Sequence, residues 1–478
     1  MYNSIQHFNE YGVKKLEAIV NEFIKNKKDI SELILALREN LFELGRNIIT
    51  EVLEDMDEYL RGSAMRKKEW EIVSLRKKGL ITCFGKIEYK RTYFKPKDGG
   101  HREYLVDSLV GITPHAKVSA DVEIAAIDEA IDSSYRKAGE KASHDEILSK
   151  QAVMNKVHQV ELEEAPIEKT EKKKLKILYV EADEDHVALQ KKGKKENNEK
   201  KRHIAMPKLV YVHEGIDGEK SSQKRKALKN VRYFGGEFET EELWLKVAQY
   251  INSAYDEETI ETVYLSGDGA SWIKQGLNWI NKSKFVLDNH HLNKYITAAT
   301  VHLNDETMYY AVKDAIEWPD KNMVKEVFKK ILEKTESETK KEAVKDAQRY
   351  ILNNWEGIEI KAEKGFEIVG CSAEGHISHV FSDRLSSRPK GWSKHGVDQM
   401  AQLRIYKKNG GKVYDLVMLQ KYKMQKEEKI QAQDELIRSL RNQCSKYESI
   451  NNKSIPVIDS GRKTGLYKDI KSKIGRCG

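Results

Sequence analysis

Apolar residues recur at three- and four-residue spacing through residues 13–60. Leu16, Ile19, Val20, Phe23 and Ile24 open the run, Ile30, Leu33, Ile34, Leu37 and Leu41 continue it, and Ile48, Ile49, Val52 and Leu53 close it. That period predicts helix. An arm of this kind suits oligomerisation or bracing a DNA backbone; it equally suits a helical hairpin packed on its own domain. Residues 80–110 change period. Leu80–Phe84 and Lys86–Phe94 alternate around Gly85, which predicts a hairpin. Its Lys86, Lys90 and Arg91 interleave with Tyr89, Tyr93 and Phe94, a pattern shared by nucleic-acid surfaces and by half-exposed sheets.

Residues 119–160 predict a helix-turn-helix-like unit. Asp121–Ile131 forms its first helix, Ser133–Gly139 a short second one, and Ser149 caps a third whose Ala152, Val153 and Val157 share a face. Lys150, Gln151, Asn155 and Lys156 then point outward, and these residue types reach base edges and phosphates from a recognition helix. The connector from Gly139 to Ser149 is long for such a turn. Ser143-x-x-Glu146 offers a second place to start the last helix, and an ordinary helical bundle fits the same pattern. Residues 161–175 are charged and read as a linker.

A sheet follows. Ile177, Leu178, Tyr179 and Val180 form a β-favouring run that ends in Glu181, Asp183, Glu184 and Asp185, and the strand is expected to continue through Leu189. The basic stretch Lys191–Arg202 reads as a tip between strands. Further strands are expected at Lys208–His213, Tyr233–Phe238, Val263–Leu265 and Phe285–Leu287, with helices at Glu241–Ala254 and Trp272–Trp279. Strands alternating with helical crossovers define an α/β class with a mixed sheet. Residues 292–355 are helical almost throughout, broken near Trp318-Pro319, and read as an insertion. Ile358–Ile360 is expected to return as strand. Tyr414–Arg441 reads as a charged helix before a Lys-rich tail.

Composition narrows the classes. The 478 residues carry 84 Lys+Arg against 76 Asp+Glu, a net charge of +8, so the distribution of charge matters more than its sum. No apolar run approaches membrane-spanning length, and the N-terminus lacks a signal-peptide pattern. Cys83, Cys371, Cys444 and Cys477 have no C-x-x-C spacing, so neither a disulfide framework nor a structural zinc is expected, and the compartment reads as reducing.

The chemistry gathers at strand ends. Asp183 and Asp268 each follow an apolar run, and Glu374 stands at an expected helix start. Carboxylates held close together on a stiff scaffold bind two divalent ions for phosphoryl transfer, and Mg²⁺ (or Mn²⁺) takes oxygen ligands. Taken singly, an Asp after a strand is as often a turn former or helix cap. Glu181 and Asp185 compete with Asp183, because alternation puts all three on one face. Arg388 and Lys390 beside Trp392 suggest backbone contact with base stacking; a turn at Pro389 with Trp392 in the core is the other reading.

These segments together carry a resemblance. Tyr-Val-Glu-Ala-Asp183-Glu-Asp-His, Leu-Ser-Gly-Asp268-Gly-Ala-Ser-Trp, Asp288-Asn-His-His291-Leu-Asn-Lys-Tyr, Ser-Ala-Glu374-Gly-His and Arg-Pro-Lys-Gly-Trp392-Ser resemble the ISLre-type bacterial insertion-sequence transposases, a family long described as uncharacterised. That family is similar to the Mutator-like DDE transposases. The resemblance runs from the Gly85 hairpin and Arg136 region to about Lys408. It implies a ribonuclease H-like catalytic fold with a helical insertion, and Asp183, Asp268 and Glu374 as the metal-binding triad. It also implies an N-terminal DNA-binding part, to which Arg136, Lys150, Gln151, Asn155 and Lys156 are assigned. Asp288-x-x-His291 matches a Cys/Asp-x-x-His motif of related groups; its expected role is DNA positioning or site structure, against a histidine satisfied locally at a helix start.

The expected division is residues 1–79 helical, 80–118 hairpin, 119–165 DNA-binding, 174–291 with 356–412 catalytic, 292–355 insertion and 413–478 tail. The expected function is metal-dependent cleavage and joining of DNA at the ends of an insertion element. A nuclease that cuts without joining and a non-catalytic DNA-binding protein are the alternatives. Two Mg²⁺ or Mn²⁺ ions, double-stranded DNA as partner, a homo-oligomer assembled on DNA and a bacterial cytoplasmic, nucleoid-associated location complete the expectation.

Overall fold

The computed structural model describes residues 3–26, 29–167, 171–190, 204–223, 226–388 and 391–427. Its contacts divide the chain into residues 1–417 and 418–478. The amphipathic N-terminal run becomes α1 (Val13–Asn26) and α2 (Ile30–Gly62), with Asp29 capping α2 through the Ser31 N–H. The second half of α2 lies on a long hairpin, β1 (Trp70–Thr82) and β2 (Gly85–Pro96), where Leu53 packs with Leu80, Ile87, Tyr89 and Val106. The hairpin turns at Gly85, as expected, with φ of +112°. Its first strand starts ten residues before the expected Leu80, because the stretch before it pairs with β2 out to Trp70↔Pro96, across a bulge between Ile72 and Ser74.

The three helices of the next unit are α3 (Ala120–Asp132), α4 (Tyr135–Lys141) and α5 (Lys150–Gln159). Ser149, not Ser143, caps α5, accepting from the Ala152 N–H at 3.1 Å; Ser143 donates instead to the Thr82 carbonyl at 2.8 Å. The long connector folds back onto α4. A Cβ at Gly139 would meet the Leu148 carbonyl oxygen at 2.1 Å, so only glycine admits this approach.

The central sheet contains β3 (Ile177–Glu184), β4 (Lys208–His213), β5 (Arg232–Gly236), β6 (Thr262–Gly267) and β7 (Ser283–Leu287), with α6 (Thr240–Ala254) between β5 and β6. Its order is β7-β6-β3-β4-β5. β7, β6 and β3 are parallel; β4 runs antiparallel to β3, and β5, antiparallel to β4, points the same way as β3. β3 stops at Glu184 rather than continuing to Leu189; residues 187–188 pair separately with 204–205. Alternation along β3 sorts its faces. Leu178, Val180 and Ala182 enter one core with Leu243, Trp244 and Val247 of α6. Tyr179, Glu181 and Asp183 take the other face.

Residues 292–355 are helical as expected, and the helical stretch runs beyond them at both ends: α7 (Asn289–Thr300), α8 (Glu306–Glu317), α9 (Lys321–Lys334), α10 (Glu338–Asn353) and α11 (Trp355–Glu363). The expected strand Ile358–Ile360 is part of α11. Gly357 lets that helix lie directly on β7, its Cβ position 2.8 Å from the Phe285 ring, and Ile358 fills the core, so the two isoleucines belong to a helical repeat. The expected helix from Trp272 to Trp279 is a short turn, Ser271–Lys274, followed by 3₁₀ residues Gln275–Asn278. Last come α12 (Ala373–Ile377) and α13 (Lys394–Lys408). Val122, Ile127 and Val153 of α3 and α5 share a buried core with Phe381, Val397 and Leu403 and with Leu209 and Tyr211 of the sheet. Residues 413–427 are helical; the remainder of the expected tail helix, the basic stretch Lys191–Arg202 and Lys390 lie outside the described residues. Among the described residues no helix is long and apolar enough to cross a membrane.

Candidate active site

Strand register brings the first two acids together. Tyr179 pairs with Tyr264 and Glu181 with Ser266 across the parallel strands β3 and β6. Two residues beyond that last pair stand Asp183 and Asp268, at the C-terminal ends of adjacent strands on one face. The Asp183 carboxylate is buried and accepts the Glu184 N–H at 2.8 Å. Burial pushes it up to about 6. The charges of Asp268 and Glu374 push the same way, while the Glu184 N–H and His291 oppose them. All three acids and His291 thus share one electrostatic neighbourhood. None of the three acids is ion-paired to a lysine or arginine among the described residues.

Asp268 sits in a tight turn that the insertion grips. Its carboxylate accepts the Ala270 N–H at 2.8 Å, and its carbonyl accepts the Tyr350 hydroxyl of α10 at 2.6 Å. Tyr350 stacks on Tyr295 of α7 with ring centroids 3.8 Å apart. Gly269 adopts φ of +89° against Asn354, and a Cβ there would lie 2.3 Å from the Asn354 amide oxygen.

Glu374 occupies the first turn of α12 and is exposed. The segment leading to it is tied down on the polar face of the sheet. Tyr179 donates to the Glu367 carbonyl at 2.6 Å, and Tyr264 to its carboxylate at 2.5 Å. Five residues on, Ser372 donates to Glu181 through its N–H at 2.6 Å and its hydroxyl at 3.1 Å. Glu181 is buried and also accepts the Tyr211 hydroxyl and His213 Nε2–H, the latter at 3.0 Å. The Gly215 N–H donates to His213 Nδ1 at 3.2 Å, which fixes the proton on Nε2. Burial resists the charge on Glu181, but these donors outweigh it and hold the carboxyl below its usual range. Glu181 is therefore committed to the scaffold. Asp185 is turned to Ser386, whose hydroxyl it accepts at 2.9 Å, and burial raises its pKa. Of the three competing carboxylates on and just past β3, Asp183 is the one left facing the other acids.

His291 lies at the start of α7, its Nδ1 3.0 Å from Asp288, which also caps the helix. That hydrogen bond raises the His291 pKa against the effect of burial, helped by Asp183 and Asp268. Among the described residues, the set of three ligating side chains whose atoms all lie within 4.8 Å is Glu39, His144 and Asp145; the three acids stand wider than that. A pair of ions about 4 Å apart, with ligands at about 2 Å, spans about 8 Å between its outermost oxygens. Asp183, Asp268 and Glu374 offer carboxylate oxygens in one electrostatic neighbourhood, the donor type that hard divalent cations take.

On α5, Lys150, Gln151 and Asn155 are exposed, and Gln151 donates to Asn155 at 2.9 Å. Lys156 is drawn back to Glu123 at 3.2 Å, and Arg136 pairs with Glu140 at 3.0 Å while remaining exposed. Arg388 is exposed. Trp392 is a correction. Only 5% of it is accessible, its indole N–H donates to the Leu385 carbonyl at 3.0 Å, and Tyr135 and Arg384 cover its ring. A buried indole with a satisfied N–H is a core anchor, not a stacking surface for bases. Glu181, Ser372 and Tyr350 were not singled out as a set by the sequence; only the placement of Glu181 on the Asp183 face hinted at them.

The profile of the uncharacterised protein family UPF0236 matches residues 23–422, and the chain belongs to that family. A UPF0236 protein of Caldanaerobacter subterraneus subsp. tengcongensis, whose name joins eleven locus designations, is 40% identical over 463 residues, covering 96% of this chain and 95% of the relative. A second from the same organism, with four designations, is 41% identical over 464 residues, covering 95% and 94%. A UPF0236 protein of Streptococcus gallolyticus is 25% identical over 414 residues, covering 82% and 86%. Among solved structures, a Drosophila P element transposase strand transfer complex aligns with 66% of this chain and 82% of that one at 13% identity and a TM-score of 0.20. A score of that size carries no structural argument.

Proposed function

We propose that the chain is a DDE-type DNA transposase that cleaves and joins DNA at the ends of its own insertion element. One observation carries the reading: the β3/β6 register, which sets Asp183 beside Asp268 on adjacent parallel strands, with Glu374 in the same electrostatic neighbourhood. The five-strand order, with a helical insertion between the last strand and the third acid, is consistent with a ribonuclease H-like catalytic domain. The multiple locus designations of two relatives suit a gene that copies itself within a genome.

Asp183, Asp268 and Glu374 would hold two Mg²⁺ or Mn²⁺ ions, which supply activation of the attacking oxygen and stabilisation of the leaving 3′ oxygen. The chain's own contribution is placement. β3 and β6 hold two carboxylates at fixed spacing, Tyr350 pins the turn of the second, and Glu181 seats the segment bearing the third. His291, protonated more readily beside Asp288, supplies positive charge toward a phosphate backbone. Lys150, Gln151 and Asn155 form the proposed DNA-reading face of α5, with Arg136 and Arg388 as backbone contacts. The division between DNA-binding, catalytic and inserted segments, and a bacterial cytoplasmic setting, follow from this reading.

The test is cleavage of double-stranded DNA carrying the sequences that flank the gene. Asp268→Asn and Glu374→Gln should each abolish cutting while leaving end binding intact. A wild-type protein that cuts but fails to join a pre-nicked end to target DNA would mark a nuclease. Cutting that persists in both variants would end the proposal.

A further inference from the structure

α1 and α2 carry apolar arcs wider than their mutual contact needs. Counted at 100° per residue, Leu16, Ile19 and Phe23 of α1 turn toward Leu33, Leu37 and Leu44 of α2, and these six are half-buried. Beside them on α1 lie Val13, Val20 and Ile24, and beside them on α2 lie Ile30, Ile34 and Leu41. These are 38%, 39%, 66%, 56%, 57% and 53% exposed, and no residue of α1 is buried. An isolated helix of this length is marginal in water.

The two exposed stripes lie on one side. The helices run antiparallel, with Lys15 opposite Glu43 at 3.1 Å. The sense of rotation from inner to exposed residues is the same along each chain direction, so in an antiparallel pair both stripes face the same way. Lys15–Glu43 closes the opposite side. The result is one continuous aliphatic face across both helices.

We propose that this face is completed by a second copy of the same chain, giving an antiparallel four-helix bundle about a two-fold axis parallel to the helices. Three features favour a self-partner. The face is formed by the same two stripes that would meet it, as an isologous contact requires. Doubling it buries about 1,000 Å², the lower bound for a specific interface. The charges at its edges also complement each other. Glu17 borders the stripe on α1, and Arg38 borders it on α2. The axis lays α1 of one copy on α2 of the other at the same level. That brings Glu17 to the outer edge where the other copy's Arg38 stands, about one helical turn away along the axis.

Sedimentation velocity on the full chain without DNA tests this. The wild type should be a dimer at micromolar concentration. Ile24→Lys with Ile34→Lys should raise the dimer dissociation constant at least about 100-fold, with unchanged far-ultraviolet circular dichroism. Glu17→Arg should weaken the dimer several-fold, and adding Arg38→Glu should restore it to within about threefold of wild type. A wild-type chain that stays monomeric, or a dimer untouched by the two lysines, would overturn the proposal, and neither result bears on DNA cleavage.

Discussion

The Ser372 N–H donates to the Glu181 carboxylate at 2.6 Å, joining two residues 191 positions apart. Glu181 lies two residues before the first candidate acid and Ser372 two residues before the third. The Glu181–Ser372 contact therefore helps set the distance between a strand end and a helix start.

Replacing Glu181 tests that coupling. Glu181→Ala leaves Tyr211, His213 and Ser372 without their shared acceptor and should lower stability by about 3 kcal/mol. Glu181→Gln keeps the volume but turns one acceptor oxygen into a donor facing donors. It should fold, and lose at least about tenfold in cleavage rate with DNA-end affinity unchanged. Thermal unfolding, gel shift and cleavage together check it; wild-type cleavage by Glu181→Gln would show that Ser372 is positioned otherwise.

Gly269→Ala combines a positive φ with a steric clash. The left-handed backbone alone costs about 1 kcal/mol, and the Asn354 amide blocks the added methyl. Adding Asn354→Ala should recover the steric part of the loss and leave the backbone part. Urea denaturation of the single and double variants measures both.

Lys78 makes stability depend on pH. Its side chain is buried with Nζ 3.5 Å from Asp107, a carboxylate that Arg91 and the Tyr89 hydroxyl also occupy. Burial, then the Arg91 charge, push Lys78 down to about 8. An unfolded lysine keeps its proton to about 10.4. Between pH 8 and 10 the unfolded chain binds more protons, so stability from this group rises with pH. The cost of Lys78 relative to Lys78→Met should shrink by about 1–3 kcal/mol from pH 7.5 to 10, read from denaturant midpoints.

Lys150→Ala should weaken binding to all DNA sequences alike and reduce the salt slope by about 1. Gln151→Ala should instead relax preference at one or two base pairs. Equal behaviour of the two would place α5 away from the bases.

The strands ending near Asp183 and Asp268 were legible because each is a local signal: a short apolar run, alternation, then a carboxylate at its end, whereas Glu374 stands at a helix start with no such run before it. The turn at Gly85 and the Ser149 cap were legible for the same reason. Glu181 was visible only as a rival of Asp183, since what separates them is a serine far along the chain and two side chains on β4. Ile358–Ile360 was misread because a two-residue spacing is too short to fix a period; Gly357 against Phe285 decides for helix. Trp392 looked like a stacking platform from its basic neighbours. Its burial depends on Tyr135, which sequence order does not bring near it, and on Arg384 folding back over the ring.

Mn²⁺ titration of the full chain on element-end DNA, followed by electron paramagnetic resonance, bears most directly on the three acids. Wild type should take up two ions per site, and Asp183→Asn, Asp268→Asn and Glu374→Gln should each lose at least one while the DNA stays bound. Uptake that is absent in wild type, or identical in all four proteins, would contradict the account.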